Sequence, residues 1–138
     1  MVIRKRNAIN TPPAPYEAEA QAMLFQWAAM QECVYPELRL MYSIPNGGSR
    51  HPAEAANLRR QGVKAGVPDI CLPVPRGEYA ALFIELKREK TGKLSSNQRT
   101  FGAELSSAGN KVAVCYGFEA AQKVITDYLT QNERDRSA

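Results

Sequence analysis

The run Ala80-Ala81-Leu82-Phe83-Ile84 contains no polar residue and ends abruptly at Glu85-Leu86-Lys87. A run of that kind fits a strand buried on both faces, at the centre of a sheet. A second run, Ile70-Cys71-Leu72-Pro73, opens directly after Pro68-Asp69, and Pro75-Arg76-Gly77-Glu78 supplies a turn between the two. Paired through that turn, the strands bring Asp69 and Glu85 to one edge of the sheet. Alternation puts Glu85 and Lys87 on one face and Leu86 on the other. Two carboxylates about 4 Å apart repel by roughly 4 kcal/mol at an effective dielectric near 20, so the pair calls for a bound cation or a shared proton. The plainer alternative is a Glu85–Lys87 ion pair at an exposed strand end. Asp69, its approach shaped by Gly66 and Pro68, tips the reading toward a metal site.

The remaining elements place this hairpin in an α/β domain. Ala20, Met23, Leu24, Trp27 and Gln31 recur at helical spacing, which predicts a helix over about 17–31, with acids in its first turn. Leu38 to Ile44 alternates as a strand would and stops at Pro45-Asn46-Gly47-Gly48. Pro52 to Gln61 reads as a short alanine-rich helix ended by Gly62. Ser95 to about Ser107 reads as a helix ended by Gly109, Lys111 to Tyr116 as a strand, and Phe118 to about Gln131 as an amphipathic helix. The order α-β-α-β-β-α-β-α predicts a central mixed sheet flanked by helices on both faces. Residues 1–15, basic and then proline-rich, are expected to form an arm, 16–131 the domain, and 132–138 a polar tail.

A chain of 138 residues is long enough for one core. Its charge is +4, and the basic residues flank the candidate site. Arg50, Arg59, Arg60 and Lys64 stand against Glu54; Lys87, Arg88, Lys90, Lys93 and Arg99 stand against Glu85 and Glu89. Each segment is +3, as a phosphate-rich partner requires, although solubility alone can account for either cluster. Cys33, Cys71 and Cys115 are odd in number and widely spaced, which excludes a zinc pattern or a disulfide framework. No segment approaches the roughly 18 apolar residues that span a membrane. A cytoplasmic protein is expected.

The chemistry these residues suit is phosphodiester hydrolysis. Asp69 and Glu85, with the Leu86 main-chain carbonyl, form an oxygen set for Mg²⁺ or Mn²⁺, and magnesium keeps several waters, so few protein ligands suffice. Lys87 would orient a water or neutralise charge on the phosphate. The single histidine, His51, is not required. Gln98 has two readings. Ser95-x-x-Gln98 fits a capping box, while Gln98 shares a helix face with Phe101 and Leu105 that points to the sheet and the site. Lys93 lies in the preceding loop as a further phosphate contact. Glu17 and Glu19 flank the apolar stripe of the first helix on opposite sides, and periodicity does not choose between them. Asn46-Gly47-Gly48-Ser49-Arg50 is either a plain loop or a set of backbone amides and a guanidinium for phosphate.

Taken together, Glu19-x-Gln21, Pro45-Asn46-Gly47-Gly48-x-Arg50, Gly62-x-x-x-Gly66-Val67-Pro68-Asp69, Ile84-Glu85-Leu86-Lys87 and Leu94-Ser95-x-x-Gln98 resemble the VRR-NUC (virus-type replication-repair nuclease) family of PD-(D/E)XK nucleases. The likeness runs from Tyr16 to Leu129. It implies a restriction-endonuclease-like core and metal-dependent DNA cleavage leaving 5′-phosphate ends. Asp69, Glu85 and Lys87 would be catalytic, with Gln98 as the auxiliary polar residue and Glu19, on its spacing from Gln21, as the first-helix acid. Asn46, Gly47, Arg50, Lys64 and Lys93 would meet DNA. Small stand-alone members of the family look like virus-encoded homodimers that cut branched DNA such as four-way junctions, and the resemblance implies a phage- or prophage-encoded enzyme of that kind here. Cleavage of flaps, ends or single strands, or binding without catalysis, are the alternatives.

Overall fold

The computed structural model describes residues 14–45, 51–88 and 91–131. Helix α1 spans Ala14–Met30 and runs into a 3₁₀ turn, Gln31–Cys33, followed by a second, Pro36–Leu40. Then come β1 (Tyr42–Ser43), α2 (Pro52–Arg60), β2 (Ile70–Leu72), β3 (Leu82–Lys87), α3 (Ser96–Ser107), β4 (Lys111–Tyr116) and α4 (Phe118–Leu129). The arm and tail expected at 1–15 and 132–138 lie, apart from the start of α1, outside the described residues. Among the described residues, no helix is long and apolar enough to cross a membrane.

The sheet has the order β1-β2-β3-β4. Strands β1 and β2, and β2 and β3, are antiparallel, whereas β3 and β4 are parallel. A parallel pair needs a crossover, and α3 provides it. Register explains why β3 is central. Ile70, Leu72, Leu82, Ile84 and Leu86 project from one face with Cys115, and all are buried with Leu24 and Ala28 of α1 and Ala121, Ile125 and Leu129 of α4. The opposite face carries Cys71, Phe83, Glu85, Lys87, Val112, Val114 and Tyr116. Helix α3 leans on its β4 side.

One expected strand is not formed as read. Leu38 to Leu40 is 3₁₀ rather than extended, and only Tyr42–Ser43 pairs with β2. Pro36 occupies the first helical position, where its fixed φ fits and its missing N–H is not needed. Leu38 is buried while Leu40 is exposed, so the alternation that suggested a strand reflects a single tight turn. Beside it, Glu37 pairs with the buried Arg76, whose guanidinium also donates to the carbonyls of Pro75 (2.8 Å) and Leu129 (3.4 Å). The turn after β2 is thereby tied to α4, and the Tyr128 hydroxyl donates to the Val74 carbonyl nearby (2.6 Å).

Candidate active site

The antiparallel register of β2 and β3 stops at Ile70–Ile84, so the next residues, Asp69 and Glu85, leave the ladder together. The Leu86 N–H has no partner strand at that point and instead donates to Asp69 Oδ2 at 2.8 Å. Within a strand the N–H and C=O of one residue address the same neighbour. The Leu86 carbonyl is therefore directed to the side where Asp69 sits.

Glu85 is 5% exposed, and its Oε1 is buried without a hydrogen-bond partner. Burial, then the charge of Asp69 beside it, raises the Glu85 pKa to about 8; Glu17 adds a smaller upward push and Lys87 opposes. At neutral pH burial therefore favours the protonated form of Glu85. An orphaned buried oxygen beside a second acid is costly unless something else occupies the site. The oxygen set of Asp69, Glu85 and the Leu86 carbonyl fits a hard divalent cation, which would displace that proton. Among the described residues, no group of three or more His, Cys, Asp or Glu is placed to hold a metal.

The other oxygen of Glu85 is engaged. Gln98 Nε2 donates to Glu85 Oε2 (2.9 Å), and Gln98 Oε1 accepts from Lys87 Nζ (3.0 Å) and from the Ser95 N–H (2.9 Å). The Gln98 N–H donates to Ser95 Oγ (3.1 Å), completing the capping box. Both readings of Gln98 therefore hold at once: one amide closes the helix and spans Glu85 and Lys87. Reversing it would set an NH₂ against an ammonium and an oxygen against a carboxyl, so its orientation is fixed by charge. Lys87 Nζ also lies 3.8 Å from Glu85 Oε2.

Two glycines let these segments meet. Gly66 has φ +92°, and a Cβ there would lie 2.3 Å from the Asn97 carbonyl oxygen. The segment carrying Pro68 and Asp69 can therefore press against the first turn of α3 only without a side chain at 66. At Gly92 a Cβ would lie 2.7 Å from Lys87 Cβ, so the loop before α3 folds directly onto the lysine.

Of the two first-helix acids, Glu17 is half-buried and close enough to influence Glu85, whereas Glu19 is exposed. Two residues apart is about 200° around a helix, so only one of them can face the pair. Spacing had pointed to Glu19; geometry puts Glu17 on the site side. Lys64 and Lys93 are exposed, on the segments before Asp69 and before α3. Asn46, Gly47 and Arg50 lie outside the described residues. What the sequence did not reveal is an apolar cavity between α3 and β4, next to Glu85 and Gln98.

These features define a nuclease-type domain with a PD-(D/E)XK-like core. The chain belongs to the VRR-NUC family, whose domain model matches residues 17–119. It is similar to the solved structure of a VRR_NUC domain protein, with 27% identity and a TM-score of 0.75 over 86% of this chain and 91% of that one. No curated protein matches it.

Proposed function

We propose that the protein is a Mg²⁺- or Mn²⁺-dependent DNA endonuclease selective for branched structures such as four-way junctions. The observation that carries this reading is the buried, unpartnered Glu85 Oε1 beside Asp69, with Lys87 held next to it. Asp69, Glu85 and the Leu86 carbonyl would hold the cation. When bound, such an ion offsets charge on the phosphate and makes water acidic enough to attack at neutral pH.

The chain's own groups do the rest. Asp69 is fixed by the Leu86 N–H, so the pair needs little reorganisation on loading. Gln98 holds Lys87 and Glu85 apart at a set spacing, which lets the ammonium meet a phosphate oxygen or the attacking water. Glu17 adds negative charge beside the pair and takes the role that spacing had given to Glu19. Water gives a proton to solvent as it adds to phosphorus and the P–O3′ bond breaks; the leaving oxygen takes a proton from solvent, giving a 3′-hydroxyl and a 5′-phosphate. Lys64 and Lys93 would contact the flanking phosphates, and a homodimer would present two such sites to the two strands of a junction.

The test is incubation of labelled four-way junction, flap and linear duplex with Mg²⁺, Mn²⁺ or EDTA. Metal-dependent cutting that favours the junction supports the proposal. Equal cutting of linear duplex removes the branch selectivity, and binding without cutting under every metal condition refutes catalysis.

A further inference from the structure

We propose that the cavity between α3 and β4 receives one unstacked base of the DNA next to the cleaved linkage. This inference rests on the nuclease reading and specifies its substrate as DNA with a base free to leave its stack.

The cavity holds about 220 Å³. Pockets for drug-sized ligands run from about 300 to 1,000 Å³, so this one suits a single planar ring system. Its walls are largely apolar: Pro68, Leu94, Val112 and Val114, with Gly102 and Ala103 of α3. Glu85, Gln98 and Arg99 complete the lining. Two of those three belong to the catalytic cluster, so an occupant lies within one nucleotide's reach of the scissile phosphate.

The gap is built into the fold. Helix α3 buries none of its residues, and Gly102 is the point where it faces β4, since a Cβ there would meet Val112 Cγ1 at 3.5 Å. Val114 remains 36% exposed on the edge strand, so the mouth is open to solvent. Apolar walls desolvate the faces of a base, while Gln98 and Arg99 supply donors for its edge and for the adjoining phosphate. A paired and stacked base cannot enter a pocket in the side of the sheet, whereas a base at a branch point or flap can be splayed into it at little expense.

Gly102→Leu is the direct probe. The added Cβ makes only ordinary contact with Val112, leucine favours a helix over glycine, and the rest of the side chain fills the cavity. Junction and flap DNAs carry 2-aminopurine at each nucleotide flanking the cut, and are bound by Lys87→Ala protein in Mg²⁺ so that no cutting intervenes. One position is expected to brighten several-fold on binding, and to lose that gain in the Lys87→Ala/Gly102→Leu double variant. On otherwise parental protein, Gly102→Leu should slow cleavage about ten-fold, the worth of one base stack. It should also abolish the difference between a normal and an abasic nucleotide at that position. No brightening at any position, or parental cutting by Gly102→Leu, overturns this inference alone. Parental protein that cuts none of these DNAs overturns the nuclease reading and this inference with it.

Discussion

Replacing Glu85 by glutamine should make the metal-free protein more stable at alkaline pH. In the folded state the Glu85 pKa stands at about 8 against an ordinary 4.5, because burial and Asp69 disfavour its charge. The folded protein therefore holds a proton that the unfolded chain releases. Stability is fully present below about pH 4.5 and is lost as pH rises through 8. Between pH 5 and pH 9 that loss amounts to about 4 kcal/mol, at 1.36 kcal/mol per unit. Glutamine keeps the shape, can still accept from Gln98, and does not titrate. Urea unfolding in EDTA, followed by the fluorescence of Trp27, the chain's single tryptophan packed against the core, measures both proteins at pH 5, 7 and 9. The parent should lose about 4 kcal/mol more than Glu85→Gln across this range, and Mg²⁺ should restore the parent alone. Parallel pH profiles would refute the account of a buried Glu85 carboxyl held protonated beside Asp69.

Cation binding at pH 7 should release up to one proton per ion, because the proton on Glu85 must leave; calorimetric titration of Mg²⁺ or Mn²⁺ in buffers of different ionisation enthalpy counts it, and affinity should rise toward pH 8. Ser95→Ala and Gln98→Ala should each cost about 1 kcal/mol through the lost cap, but only Gln98→Ala should cut kcat ten-fold or more, a split that chemical denaturation and single-turnover cleavage read together. Gly66→Ala should destabilise by about 1–3 kcal/mol, since it combines a positive φ with a clash against Asn97, and should impair cleavage by displacing Asp69. Arg76→Ala should cost about 1.5–3 kcal/mol through its lost charge-assisted hydrogen bonds to Glu37 and the Pro75 and Leu129 carbonyls, with cleavage per folded molecule unchanged.

The parts of the molecule that could be read from the chain are those where one pattern has one physical cause. Lys111 to Tyr116 forms β4 as expected because five consecutive apolar residues follow its lysine and Gly109 and Gly117 bound it. Asp69 and Glu85 converge because antiparallel pairing of the two apolar runs sets them at the same end of the ladder, and strand alternation puts Lys87 on the face of Glu85. Leu38 to Ile44 misled, since alternation over so short a span also fits a 3₁₀ turn, and the long-range Glu37–Arg76 pair beside it is invisible to local pattern. Glu17 and Glu19 sit symmetrically about the apolar stripe, so only packing of α1 on the sheet separates them. Spacing alone allows Gln98 two readings because its dual role requires Lys87 and Glu85 to arrive from another element. The cavity beside it depends on Gly102 standing opposite Val112, a relation between two elements that no spacing encodes.

Anomalous diffraction from crystals soaked in Mn²⁺ tests the central claim most directly. A single manganese peak within ligand distance of Asp69, Glu85 and the Leu86 carbonyl, absent in Glu85→Gln, is the expected result. Manganese bound elsewhere, or no peak while Glu85 Oε1 stays buried against Asp69, would contradict it.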